Sequence, residues 1–249
     1  MKALVTGASS GIGRNIAIYL SELGYDLILV ARDKKKLIET SKLIHTKSKC
    51  ITLDLSKESN CIKLYKQTKK DDIDILVNNA GFGLLGEFYN TDLDIELNMI
   101  DLNIKCVHIL TKLYLNDFKK KNKGYILNVA SAAAFQSGPL MSAYYASKAY
   151  VLRLSVAIYE ELKQINSNVK ISVLCPGPVD TNFNKVANAK FKIKPLTSEY
   201  VSKHAINSMF KNKLIIIPSF YMKVVIFFSR FISIKKLAKI TYNIQSKKR

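Results

Sequence analysis

Apolar residues in this chain gather into short runs such as Ala3-Leu4-Val5, Leu27-Ile28-Leu29-Val30-Ala31, Ile75-Leu76-Val77 and Val173-Leu174-Cys175. Runs that are apolar throughout, with no polar alternation, fit strands covered on both faces. The longer stretches between them carry apolar residues every three or four positions, as amphipathic helices do. The pattern predicts strands over Lys2–Thr6, 25–31, Cys50–Asp54, Ile73–Val77, Tyr125–Ala130, Val169–Cys175 and Leu214–Ile217. It predicts helices from Gly11 to about Leu23, Lys34 to about His45, Glu58 to Lys69, Asp92 to about Phe118 and Ala143 to Gln164. Such regular alternation is the signature of an α/β, doubly wound parallel sheet. It spans residues 1–217 without a repeat or linker, and a basic, apolar helical extension is expected over 218–249.

The first strand runs into Gly7-Ala8-Ser9-Ser10-Gly11-Ile12-Gly13 and then a helix, the order that phosphate binding requires. Gly7 suits a tight turn, Gly11 lets a pyrophosphate approach the backbone, and Gly13 allows helix and sheet to pack closely. The turn therefore reads as a nucleotide site. Arg32 ends the second strand, where an acid would hold a ribose 2′-hydroxyl and an arginine suits a 2′-phosphate. This position argues for NADP over NAD, the plain alternative being a solvated loop cation. Asp33 reads as the cap of the next helix. Asp54, after the third strand, is placed to meet an adenine or to cap a helix. Asn78-Asn79-Ala80-Gly81 follows the fourth strand.

Tyr144 and Lys148 stand four apart on a predicted helix and so share a face, setting a phenol beside an ammonium. A nearby cation favours the phenolate and lowers the phenol's pKa. Ser131 ends the fifth strand, and C-terminal strand edges line the ligand crevice in an open parallel sheet. Its hydroxyl can orient a carbonyl oxygen while Tyr144 moves the proton. Asn103 lies in a helical stretch among Leu102, Ile104, Cys106 and Val107, so its amide needs partners. A bond to main chain and an ordered water in a proton path both meet that need.

Together these residues resemble the classical short-chain dehydrogenase/reductase family over about residues 1–217. The matches are Thr6-Gly7-x-x-x-Gly11-Ile12-Gly13, Asn78-Asn79-Ala80-Gly81, Asn103, Ser131, Tyr144-x-x-x-Lys148 and Pro176-Gly177-x-Val179-x-Thr181, in the family's order. The resemblance implies a single Rossmann-like domain that transfers a hydride between a nicotinamide cofactor and a ketone or secondary alcohol. Within it Tyr144 would be the general acid, Ser131 would polarise the carbonyl, and Lys148 would bind the nicotinamide ribose and lower the Tyr144 pKa. Asn103 would hold a water. Gly7, Ser9, Ser10, Gly11, Ile12, Gly13, Arg32, Asp54, Asn79, Val179 and Thr181, with Tyr144 and Lys148, would meet the cofactor. The chain is similar to the branch acting on ketoacyl, steroid or other lipid-like carbonyls. The resemblance also implies a homo-oligomer, a dimer or tetramer paired along the 92–118 and 143–164 helices.

The 183–195 segment is irregular and basic, a candidate lid over the crevice. Four scattered cysteines without metal-ligand spacing, and only three histidines, argue for reduced thiols, a cytoplasmic setting and no metal. With a strand predicted from the second residue, no leader peptide is expected. The formal net charge is +20, and no acidic residue follows Glu199 while eleven Lys and Arg do. Pro218, Lys223 and Arg230 interrupt the apolar stretch, so a spanning helix is not expected. That stretch is expected to pack on its own domain or a partner subunit, ahead of a peripheral membrane contact. No nucleic acid is expected as a partner. A non-catalytic NADP sensor or scaffold, membrane- or nucleic-acid-associated, is the competing function, but it has little need of Ser131, Tyr144, Lys148 and Asn103 together.

Overall fold

The structure, a computed structural model, describes residues 1–181 and 195–246. Strands β1 (Lys2–Thr6), β2 (Asp26–Ala31), β3 (Ser48–Thr52), β4 (Ile75–Asn78), β5 (Tyr125–Val129), β6 (Lys170–Leu174) and β9 (Ile215–Ile216) form one sheet. Its order is β3-β2-β1-β4-β5-β6-β9, and every pairing is parallel. The order reverses between β1 and β4, and a crevice opens at such a switch point, beyond the C-terminal strand ends. A short second pair, β7 (Val179–Asp180) with β8 (Leu196–Thr197), lies apart from the sheet.

The period of two along each strand sorts the core into two layers. Ala3, Val5, Leu27 and Leu29 pack with Ile16, Ala17 and Leu20 of α1 (Gly11–Glu22), Leu37 of α2 (Lys34–Ser41), and Val201, Ala205 and Met209 of α7 (Ser198–Phe210). On the other face, Leu4, Ile28, Val30, Leu76 and Ile126 meet Leu64 of α3 (Glu58–Thr68), Leu110, Tyr114 and Phe118 of α5 (Val107–Lys120), and Leu162 of α6 (Ser142–Gln164). Each fully buried Leu or Ile contributes about 2 kcal/mol, so both sheet faces are strongly held.

Two of the predicted helices differ from the sequence-based expectation, β3 starts and ends two residues earlier than predicted, and α7 and the β7–β8 pair were not predicted. The second helix ends at Ser41 rather than near His45. There Thr40 Oγ1 and Ser41 Oγ donate to the carbonyls of Lys36 and Ile38, and the chain tightens into i→i+3 turns through Leu43 and Ile44. The stretch expected as one helix over 92–118 is α4 (Leu93–Ile100), a π-helical turn (Asp101–Cys106) and then α5. Asp92 caps α4 by accepting from the Ile95 amide at 3.0 Å. π turns inside α-helices concentrate at functional sites, and this one carries Asn103.

A buried polar chain crosses the sheet toward the helices. Asn78 Nδ2 donates to Thr111 Oγ1 at 3.0 Å and to Asn128 Oδ1 at 2.9 Å, and Asn128 Nδ2 donates to Ser155 Oγ at 3.0 Å. These bonds pin β4 and β5 to α5 and α6, the helix bearing Tyr144 and Lys148. After β9 come α8 (Phe220–Ser229) and α9 (Ile234–Gln245).

Candidate active site

The glycine turn is built as a locked cradle. Thr6 Oγ1, at the end of β1, donates to Val77 O and accepts from the amides of Asn79 at 2.9 Å and Ala80 at 3.1 Å. Asn79 Nδ2 returns bonds to the carbonyls of Thr6 and Gly7. Gly7 has φ +65°, and a Cβ there would sit 2.7 Å from Asn79 Nδ2. A Cβ on Gly13 would run into both Asn79 Nδ2 and the Gly7 carbonyl. The turn and the β4 loop therefore interlock only with glycine at both places. The α1 N-cap, Ser10, makes no side-chain cap bond, which leaves amides at the helix start to meet an anion. Thr6→Val would strand the Asn79 and Ala80 amides, at about 1–3 kcal/mol. Its expected result is at least tenfold weaker nicotinamide-cofactor binding by fluorescence titration, with far-UV circular dichroism unchanged.

A cavity of about 440 Å³ opens above this turn. Gly7, Ser9, Ser10, Gly11, Ile12, Arg32, Asn79, Tyr144, Lys148 and Thr181 all line it, so ten of the residues predicted from sequence meet at one place. Gly13 sits beneath, as packing. Val179 is buried in β7 and Asp54 turns away, its Oδ1 accepting from the amide and hydroxyl of Ser56. Leu53 and Leu55 form the wall beside Asp54. The 183–195 lid expected from sequence lies outside the described residues, except for Pro195.

Sequence reasoning missed Lys36, Gly81, Phe82 and Leu102, which also line the cavity. Lys36 carries a recoverable signal, since it stands four residues after Arg32 and adds a second cation to the same wall. Asp33 caps α2 by accepting from the Lys36 amide at 3.0 Å. That bond holds the Asp33 carboxyl below its usual range.

At the other sequence cluster, Tyr144 and Lys148 lie on α6 and Ser131 follows β5, capping the turn Ala132–Phe135. The Ser131 hydroxyl accepts from the Ala133 amide at 3.1 Å and is hydrogen-bonded to the Tyr144 phenol. Lys148 Nζ donates to Val129 O at 3.0 Å and lies 5.9 Å from the centre of the Tyr144 ring. Asn103 is fully buried: Oδ1 accepts from the Phe82 amide, and Nδ2 donates to Phe82 O and Ser147 Oγ. Its amide thus serves the main chain of the Asn-Asn-Ala-Gly loop. A Cβ on Gly81 would meet Asn103 Oδ1 at 2.7 Å and Lys148 Nζ at 3.3 Å, so these two groups converge on one bare position.

The electrostatics correct one expectation. Lys148 was expected to lower the Tyr144 pKa, yet burial pushes the phenol up to about 12, against a lesser downward pull from the Ser131 bond. Burial likewise pushes Lys148 down to about 8. Both groups are enclosed, and the loss of water disfavours the charged form of each. The outcome is a neutral phenol, ready to donate, next to an ammonium that is mostly charged at neutral pH.

A parallel sheet with a phosphate cradle at its switch point, beside a buried Ser–Tyr–Lys set, defines a nucleotide-dependent oxidoreductase. Residues 1–192 match the family model described as short chain dehydrogenase. The chain belongs to this family and acts on CH–OH/C=O groups with a nicotinamide cofactor. It is 36% identical over 184 residues to an uncharacterized oxidoreductase of Staphylococcus epidermidis, covering 72% of this chain and 78% of the relative. It is 33% identical to very-long-chain 3-oxoacyl-CoA reductase-B of Danio rerio, over 80% of this chain and 66% of that protein. Among solved structures it resembles a short-chain dehydrogenase from Sphingobium yanoikuyae in complex with NADPH, with TM-score 0.81, 27% identity and 88% of each chain covered.

Proposed function

We propose that the protein reduces an apolar, lipid-like ketone to a secondary alcohol with NADPH. The observation that carries the proposal is one cavity lined both by Tyr144 and Lys148 and by the cations Arg32 and Lys36. The glycine cradle and α1 amides suit the pyrophosphate, and Arg32 with Lys36 suits a 2′-phosphate. When bound, the nicotinamide supplies the hydride that the carbonyl carbon accepts. The Ser131 hydroxyl orients and polarises the carbonyl oxygen, and the Tyr144 phenol gives that oxygen its proton. The Lys148 ammonium stabilises the phenolate left behind. An apolar cluster of Met99, Ala133 and Met141, with Phe82, Leu84 and Leu85 against it, surrounds Tyr144 and favours a greasy substrate. The name of the zebrafish relative points the same way. The working unit in this reading is a homo-oligomer joined along α5 and α6.

Steady-state oxidation of NADPH and NADH against ketones from small ketoacids to long-chain 3-ketoacyl thioesters and steroids tests the reading. Turnover should prefer NADPH and rise with substrate apolarity. Arg32→Ala with Lys36→Ala should lower kcat/KM for NADPH by about a hundredfold or more, two charge-assisted contacts each being worth about 1.5–3 kcal/mol, and leave NADH nearly unchanged. Wild-type preference for NADH, or an equal loss with both cofactors, would overturn the 2′-phosphate assignment.

A further inference from the structure

We infer that the outer face of α8 and the turn into α9 form a docking surface for an anionic lipid bilayer. Phe220, Tyr221, Val224, Phe227, Phe228 and Phe231 recur at helical spacing, so they form one stripe. The stripe faces outward: Phe220 is 77% exposed, Phe227 52%, Phe228 60% and Phe231 75%, with Ile234 beyond it at 78%. The side turned to the protein is smaller, with Ile226 and Ser229 buried and Met222 lying against Gly177. Phe227 stacks edge-on with both Phe228 and Phe231, at 5.4 and 5.6 Å between ring centres. An aromatic cluster of this size left in water marks an interaction site.

Charge selects the occupant. Lys223 and Arg230 lie within the stripe's sequence and exposed Lys235, Lys236 and Lys239 follow it on α9, and among the described residues none of the five forms an ion pair. No acid follows Glu199 to neutralise them. A second copy docking by a two-fold axis would set these cations against themselves. Anionic headgroups would meet them, while the Lys and Arg stems bridge from the apolar layer to the headgroups. At ten residues α8 is too short to span, and no described helix is long and apolar enough to cross a membrane, so the contact is interfacial.

The surface is joined to the substrate end of the site. On α9, Thr241 Oγ1 accepts from Gln136 Nε2 at 3.1 Å, and Gln245 Nε2 donates to the Tyr145 hydroxyl at 2.5 Å. Tyr145 is the immediate neighbour of Tyr144. Docking would therefore bring the mouth of the site to the bilayer, a consequence that rests on the lipid-like substrate reading, whereas docking itself does not.

The chain has no tryptophan, so Phe228→Trp supplies a single reporter. Full-length protein is mixed with phosphatidylcholine vesicles, with and without phosphatidylglycerol, and followed by flotation and Trp emission, with no ketone present. Expected are a blue shift and flotation with the phosphatidylglycerol vesicles, weakening as salt rises. Lys235→Glu/Lys236→Glu/Lys239→Glu should weaken partitioning by at least about a hundredfold, each lost surface cation being worth about fivefold and each added carboxylate repelling the anionic surface. Phe227→Ser/Phe228→Ser/Phe231→Ser should abolish it while leaving the melting temperature and turnover of a water-soluble ketone unchanged. Absence of flotation with both vesicle types would overturn the inference, as would equal binding to neutral vesicles. Conversion of an oligomer to a monomer by the Phe→Ser variant without lipid would assign the face to a second copy instead. Loss of ketone turnover with flotation retained would count against the reductase reading alone.

Discussion

Tyr144→Phe is expected to lower kcat for ketone reduction by about a thousandfold while cofactor affinity stays within a few-fold. The phenol is hydrogen-bonded to Ser131 in an enclosed site, and a positioned general acid contributes about 10²–10⁴ in rate. The ring itself would be kept, so Met99, Ala133 and Met141 retain their packing partner. Tyr145→Phe is the matched control, because that hydroxyl is bonded to Gln245 and should be dispensable for chemistry. Single-turnover NADPH oxidation separates the proton step from product release. Turnover in Tyr144→Phe within tenfold of wild type would remove the phenol from the mechanism. The pH profile adds a check: reduction should hold steady through neutrality and decline above about pH 8, as the Lys148 ammonium loses its proton.

Lys148→Met is expected to abolish turnover and yet make the protein more stable. A buried ammonium with its pKa pushed from 10.5 down to about 8 costs the fold about 3 kcal/mol at neutral pH. Removing it leaves the Val129 carbonyl without its donor, which returns about 1–2 kcal/mol of the gain. The net expectation is stabilisation by about 1–2 kcal/mol, a few degrees in melting temperature for a chain of this size. Below pH 8 both folded and unfolded chains hold the proton and the full cost is present. Between pH 8 and 10.5 the unfolded chain keeps a proton that the folded chain has released, so wild-type stability rises with pH through that window. The advantage of Lys148→Met should therefore shrink from pH 7 to pH 10 in denaturant titrations. A variant less stable than wild type at pH 7 would show that the ammonium stabilises the fold.

Much of this was legible in the chain because the signals are local. The strand runs are apolar on both faces, and a parallel sheet between two helix layers is the arrangement that buries them. Gly7, Gly11 and Gly13 are readable since each must lack a side chain against a specific neighbour. What sequence could not show depends on contacts between distant positions. The π turn at Asn103 arises in a stretch whose apolar spacing fits an ordinary helix. Asp54 turns to Ser56, two residues on, and no spacing rule separates that local bond from an adenine contact. The sign of the Tyr144 shift depends on enclosure by elements from across the chain. Spacing placed the ammonium beside the phenol, but it carried no measure of how little water would remain.

The two bonds from α9 to Gln136 and Tyr145 also bear on how the molecule is made. Synthesis runs from the N-terminus, and the glycine cradle with its Thr6–Asn79 lock is complete once the first third of the chain has emerged. The shoulder of the catalytic helix instead waits for partners about a hundred residues later, Thr241 for Gln136 and Gln245 for Tyr145. A nascent or clipped chain ending before α9 would hold its nucleotide cradle while its substrate side stayed open. Occupancy by the nucleotide is thus no proof of a finished enzyme, since α9 has to be in place before this protein becomes one.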